Sequence, residues 1–223
     1  MSVRRRTAIL ISGRGSNMVS LIAAARHQPF PAEIALVLSN RPDAPGLDYA
    51  RENRIATAAV DHKIYAGREA FEAVLQTMLD THRIELVCLA GFMRLLTANF
   101  TQRWQGRMLN IHPALLPAYK GLHTHERAIA DGVKIHGCTV HFVVPEMDSG
   151  PIIAQAAVPV LDSDTPVTLG ARVLAQEHVI YPRALECVAS GRVKIDGHRV
   201  VGACAHVEHT PLVVPGFEEE EDG

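Results

Sequence analysis

No run of apolar residues in this chain approaches the ~18 that a membrane-spanning helix needs, so that architecture is excluded. The stretch after Arg4-Arg5-Arg6 stays apolar for only about five residues, too few for the core of a secretory signal. Four cysteines are present, Cys88, Cys138, Cys187 and Cys204, but no C-x-x-C pair, so neither a zinc site nor a dense disulfide framework is readable. The formal net charge is only −2, too small for a disordered chain or for one built mainly to grip nucleic acid. Aromatics make up 5%. What is present is 48% hydrophobic residues over 223 positions. A globular chain of this length buries roughly 70–75% of its unfolded surface and needs no covalent staple. These features predict a soluble, reduced, cytoplasmic protein with no membrane and no nucleic-acid partner.

Short apolar runs alternate with amphipathic segments. Strands are expected at Ala8–Ile11, Glu33–Leu38, Ala56–Val60, Glu85–Ala90 and Arg107–Ile111. Between them, helices are expected at Ser16–His27, Ala44–Asn53, Gly67–His82 and Thr97–Gln105. Strands apolar on both faces, separated by helices, belong in a parallel sheet covered on both sides. The predicted fold is therefore α/β, a Rossmann-like open and mostly parallel sheet with an antiparallel C-terminal extension. The extension comprises a short helix at Thr124–Asp131 and strands at Ile135–Val144 and Pro151–Val160. A long helix follows from about Thr168 to Ser190, with Pro182 placed to kink or interrupt it. Gly191–Ile195 and Arg199–Val201 flank Asp196-Gly197 as a hairpin. Residues 1–201 read as one domain, with a parallel half at about 1–112 and a second half at about 113–201. Residues 202–223 form a tail whose acidic end, Glu218–Asp222, reads as disordered.

Three places carry candidate chemistry. After the first strand, Ser12-Gly13-Arg14-Gly15-Ser16-Asn17 can turn backbone N–H groups toward an anion at a helix N-terminus. Met18 stands where a dinucleotide fingerprint has its third glycine, and the second strand ends in Ser39-Asn40-Arg41 without a carboxylate for a ribose diol. A single phosphate, held by the amides of Gly15, Ser16 and Asn17, fits what remains; a plain strand-to-helix turn with Ser16 as N-cap is the structural alternative. The second place is Leu109-Asn110-Ile111-His112-Pro113. Alternate strand residues share a face, so Asn110 and His112 point together while Leu109 and Ile111 point away. An amide donor beside an imidazole suits a developing oxyanion. The third is Asp148, in a turn-rich loop, which can supply the carboxylate that orients the imidazole, although a turn aspartate satisfies the same local sequence. His141 can line the same cavity. His123 and His125 lack a third ligand at metal spacing, so no metal is assigned.

Read together, the motifs are recognisable. Ile11–Asn17, Leu89–Leu96, Leu109–Pro113, Gly121–His125, Val140–Phe142, Asp148–Pro151 and Gln176–His178 resemble, in order, the phosphoribosylglycinamide formyltransferases, folate-dependent enzymes of purine synthesis. Asn-x-His-Pro and Asp-x-Gly-Pro are shared with the wider formyl-folate enzymes; the Gly-x-Gly-Ser-Asn and Gly-Leu-His-Thr-His stretches point to the glycinamide enzymes. The resemblance spans about residues 7–183, and the tail after Val201 matches nothing. It implies 10-formyltetrahydrofolate as cosubstrate and glycinamide ribonucleotide as acceptor, with no metal. It implies that Asn110, His112 and Asp148 are catalytic, and that Gly15, Ser16, Asn17 and Glu177 hold the ribonucleotide. It implies that Arg68, Met93, Arg94, Leu95, Leu96, Asn110, Pro145, Glu146, Met147 and Asp148 hold the folate. Met93–Leu96 as plain core and Glu177 as a surface charge remain the structural alternatives. The chain is expected to act as a monomer or homodimer. Formyl-folate hydrolysis is the alternative activity, and a non-catalytic nucleotide-binding module is the alternative class.

Overall fold

The computed structural model describes residues 4–202 and 212–215; the acidic run Glu218–Asp222 lies outside them. Seven strands form one sheet in the order β3-β2-β1-β4-β5-β6-β7. Its parallel part is β1 (Arg5–Ile11), β2 (Ala32–Ser39), β3 (Ala56–Ala59), β4 (Leu86–Leu89) and β5 (Met108–His112). Strands β6 (Ile135–Phe142) and β7 (Ile152–Pro159) add to it antiparallel. Helices α1 (Ser16–Arg26), α2 (Gly46–Glu52), α3 (Arg68–Thr81), α4 (Ala98–Arg103), α5 (Thr124–Ala130) and α6 (Pro166–Ala189) connect or follow them. Strands β8 (Val193–Asp196) and β9 (Arg199–Gly202) form a separate hairpin.

Both faces of the sheet are covered, and strand alternation sorts the residues between them. Ile9, Ile11, Leu86, Cys88, Leu109 and Ile111 cluster with Met18 and Leu21 of α1 and Leu169, Val173 and Tyr181 of α6. Their neighbours Ala8, Leu10, Val87, Leu89 and Met108 cluster with Phe71, Leu75 and Leu79 of α3 and Phe100 of α4. Asn110 and His112 share the parity of Met108, so they emerge on the α3–α4 side. Tyr181 is fully buried, and its hydroxyl lies 3.0 Å from the Leu89 carbonyl and 3.1 Å from that of Leu109, pinning α6 to the ends of β4 and β5.

The chain leaves β1 in one direction and β4 in the other, so the strand order reverses between them. Open α/β sheets bind ligands outside the carboxyl ends of strands at such a reversal. The glycine loop follows β1 and the segment Gly91–Leu96 follows β4, which places both at this crevice.

Two expectations for the last helix are corrected. It begins at Pro166, not Thr168, because Thr165 caps it: the Thr165 hydroxyl accepts the Thr168 N–H and Thr168 caps back. Proline at the first position costs nothing, since that N–H has no helical partner. Pro182 does not interrupt α6, which stays helical to Ala189. The lost hydrogen bond is offset by burial of this stretch between α1 and the sheet, Pro182 itself included.

Candidate active site

Gly15, not Ser16, caps α1. It adopts the left-handed conformation (φ 69°, ψ 47°) that glycine reaches without steric cost, and Ser16 becomes the first helical residue. The N–H groups of the first turn have no partner within the helix and face outward at its positive end. Beside them the Asn17 amide donates to Glu177 Oε2 at 2.6 Å, joining α1 to α6. Glu177 is 6% exposed, so it is not a surface charge. Burial pushes its carboxyl pKa up, while the Asn17 hydrogen bond pulls it back. Asn17 Oδ1 is buried with no hydrogen-bond partner among the described residues, an acceptor left over for a ligand donor.

On the other side of β4 opens a cavity of about 580 Å³, a volume typical of small-molecule sites. Asn110, His112, His141 and Asp148 line it, brought from β5, β6 and the loop after β6. His112 Nδ1 lies 3.4 Å from Asp148 Oδ2, and the two side chains are 6% and 12% exposed. Asp148 Oδ2 also accepts the Gly121 N–H at 2.9 Å. His112 Nε2 lies 2.9 Å from the Tyr119 carbonyl. A carbonyl only accepts, so Nε2 carries hydrogen and any further proton goes to Nδ1, facing the carboxylate. His141 follows the same logic: its Nδ1 lies 2.9 Å from the Phe142 carbonyl and donates to it. That leaves His141 Nε2 as the acceptor for the Asn110 amide, 3.3 Å away. Burial pushes the His141 pKa down, which keeps this ring neutral and able to accept. The Asn110 amide thereby turns its nitrogen toward His141, with one hydrogen spent there and no partner for the other among the described residues.

Pro145, Glu146, Met147 and Asp148 line the cavity, as do Met93, Arg94, Leu95 and Leu96. Met93 and Leu95 are 68% and 64% exposed, so this part of the segment is a cavity rim and not core, while Leu96 is half-buried against the core under α3. Arg68 opens α3 as an exposed residue and is not among those lining the cavity. Gly15, Ser16, Asn17 and Glu177 stand outside the cavity as a separate polar group at the end of β1. The Tyr119 carbonyl and Gly121 amide complete the hydrogen-bond set around His112 and Asp148; as backbone groups they have no side-chain signature in the sequence.

His125 is spent on structure: its Nδ1 lies 3.2 Å from Nε2 of His136. His123 is exposed, 3.5 Å from Glu126. Among the described residues no three His, Cys, Asp or Glu converge as a metal site. The His136 pKa is pushed down to about 4, chiefly by burial and then by His125. An unfolded chain takes that proton near 6.5 while the folded one refuses it, so acid favours unfolding in this window. His125, His141 and His178 are shifted in the same direction. The melting temperature should therefore fall as pH drops from about 6.5 to about 4, with a shallower fall in His136→Gln; calorimetry showing a flat profile across that range would refute the assignment.

The chain matches the family model described as formyl transferase over residues 5–185. It is 43% identical to the phosphoribosylglycinamide formyltransferase of Escherichia coli, covering 86% of this chain and 94% of that protein. It is 48% identical to the human trifunctional purine biosynthetic protein adenosine-3 over 86% of this chain, but spans only 19% of that longer protein. Its structure is similar to that of glycinamide ribonucleotide transformylase 1 from Symbiobacterium toebii, with a TM-score of 0.87 at 45% identity, covering 89% of this chain and 94% of that one. With a family match across most of its length and near-complete coverage of the bacterial relative, the chain belongs to the formyl transferase family, among the phosphoribosylglycinamide formyltransferases.

Proposed function

We propose that this chain transfers the formyl group of 10-formyltetrahydrofolate to the amine of N1-(5-phospho-D-ribosyl)glycinamide, in the cytoplasm, as a monomer or homodimer. Residues 1–201 serve as one formyltransferase domain. The observation that carries the reading is the meeting of His112 and Asp148 at 3.4 Å beside Asn110, with an anion-ready helix terminus across β4.

The ribonucleotide phosphate sits on the amides of Gly15, Ser16 and Asn17, and Glu177 with Asn17 Oδ1 accepts hydrogens from its ribosyl part. The folate lies between Met93–Leu96 and Pro145–Asp148. The neutral substrate amine attacks the formyl carbon, a carbon–nitrogen bond forms, and the carbonyl oxygen becomes an oxyanion. The remaining Asn110 hydrogen stabilises it. The oxyanion also competes with the neutral Tyr119 carbonyl for the His112 Nε2 hydrogen, and wins because a charged acceptor binds roughly twice as strongly. Asp148 supports the charge on His112. The bond to the folate nitrogen then breaks as the proton released by the amine reaches that nitrogen. No enzyme nucleophile is needed.

The test is loss of the folate formyl group, followed with and without the ribonucleotide. Turnover that depends on the ribonucleotide and yields the N-formyl product supports the reading. Formate release at the same rate without it would replace transfer by hydrolysis, and binding without turnover would leave a nucleotide-binding module.

A further inference from the structure

The glycine loop and the folate-side segment leave the sheet from adjacent strands, and one side chain ties them together. The Ser12 N–H donates to the Gly91 carbonyl at 3.2 Å. Its hydroxyl accepts the Met93 N–H at 2.8 Å and donates to Asn40 Oδ1 at 2.5 Å. Ser12 and Asn40 are 7% and 2% exposed, so these bonds are shielded from water. Next to this pair, His62 Nδ1 lies 3.0 Å from the Asn40 backbone carbonyl and donates to it. A serine hydroxyl has one hydrogen. With that hydrogen spent on Asn40, a lone pair is what meets the Met93 N–H.

The far end of the same segment has its own pin. The Glu72 carboxylate accepts the Thr97 N–H at 2.7 Å and bonds the Thr97 hydroxyl as well. The segment from Met93 to Leu96 thus runs between two anchors, Ser12 and Glu72, that are themselves buried. Only the Ser12 anchor is shared with the other site, because the glycine loop begins at the next residue.

We propose that Ser12 is a positioning residue that couples the two ligand sites. A phosphate that orders Gly13–Asn17 also fixes Ser12, and Ser12 fixes the backbone of Met93–Leu96 for the folate. The proposal rests on the ligand assignment above. Coupling of this kind is reciprocal: each ligand tightens the other by the same factor.

The experiment is calorimetric titration of tetrahydrofolate with and without saturating ribonucleotide, and of the ribonucleotide with and without tetrahydrofolate. The native chain should show mutual tightening of about 5–10-fold, at the low end of usual coupling factors. Ser12→Ala should bring the factor close to one and raise the folate KM more than it lowers kcat. Ser12→Thr, which keeps the hydroxyl, should retain coupling. Glu72→Gln should weaken folate binding yet keep the coupling, since that pin does not touch the glycine loop. A native chain that binds both ligands independently, or a Ser12→Ala variant with native coupling, would overturn the proposal. Failure of the native chain to bind the ribonucleotide at all would instead overturn the substrate assignment, and the coupling with it. Should Ser12→Ala not fold, hydrogen exchange on the native chain decides. Ribonucleotide binding should slow exchange of the Met93 amide more than that of Thr97, and unchanged Met93 exchange refutes the idea.

Discussion

Replacing His112 by alanine should lower kcat by ~10²–10³ while leaving the dissociation constants of both ligands nearly unchanged. The split follows from where the ring points. Its Nε2 hydrogen is held by the Tyr119 carbonyl and its Nδ1 faces Asp148. Neither contact binds a ground-state ligand. The Nε2 hydrogen becomes valuable only when an oxyanion replaces the carbonyl as acceptor, so its loss falls on the transition state. The substitution also strips partners from buried polar groups, at a cost of about 1–3 kcal/mol. The melting temperature must therefore be measured alongside single-turnover rates, at a temperature where the variant is fully folded. A folded His112→Ala chain with near-native single-turnover rate would remove the imidazole from the chemistry.

How much of this site can be read from residues alone depends on whether a side chain or the backbone carries the information. The parity of Asn110 and His112 along β5 is readable, because an apolar strand that switches to polar residues on one face has to put them in a cavity or leave them unpaired. The Gly-x-Gly loop is readable too, although the cap moves from Ser16 to Gly15 because only the left-handed residue can turn the chain into α1. Asp148 was ambiguous locally. It joins the site because it adopts φ 49° and takes the Gly121 N–H, a contact made across 27 positions that no local pattern encodes. Ser12, Asn40 and Glu72 look like ordinary polar residues in the sequence; their roles rest on tertiary partners 81, 28 and 25 positions away. Pro182 follows the same lesson, since a rule about helix interiors gives way to the packing of one long helix between α1 and the sheet.

The second large effect is expected at a residue with no side chain. A Cβ built on Gly150 would stand 1.8 Å from the Phe142 carbonyl oxygen and 2.9 Å from its carbon. Both are backbone, so no rotamer change relieves the clash, and the strand end must move. That strand end is occupied: the Phe142 N–H donates to the Pro151 carbonyl at 2.9 Å, and the Phe142 carbonyl holds the His141 ring. Gly150→Ala should therefore part β6 from the start of β7, lose at least one buried hydrogen bond, and cost about 1–3 kcal/mol as an overpacked site does. For a chain of this size that corresponds to roughly 2–4 °C of melting temperature per kcal/mol. The catalytic loss should be larger than the stability loss suggests. Asp148 lies two positions before Gly150 on the same loop, so displacing the loop pulls the carboxylate off both His112 and the Gly121 amide. Turnover should fall by ~10²-fold or more, approaching the effect of deleting a transition-state donor. Ser149→Ala, on the same loop but exposed and with its hydroxyl bonded to Lys120 and the Met147 carbonyl, controls for general disturbance and should cost far less. A Gly150→Ala chain with native turnover and an unmoved Asp148 would show that the clash is absorbed locally, and the tight packing of Gly150 on β6 would then have no part in holding the carboxylate.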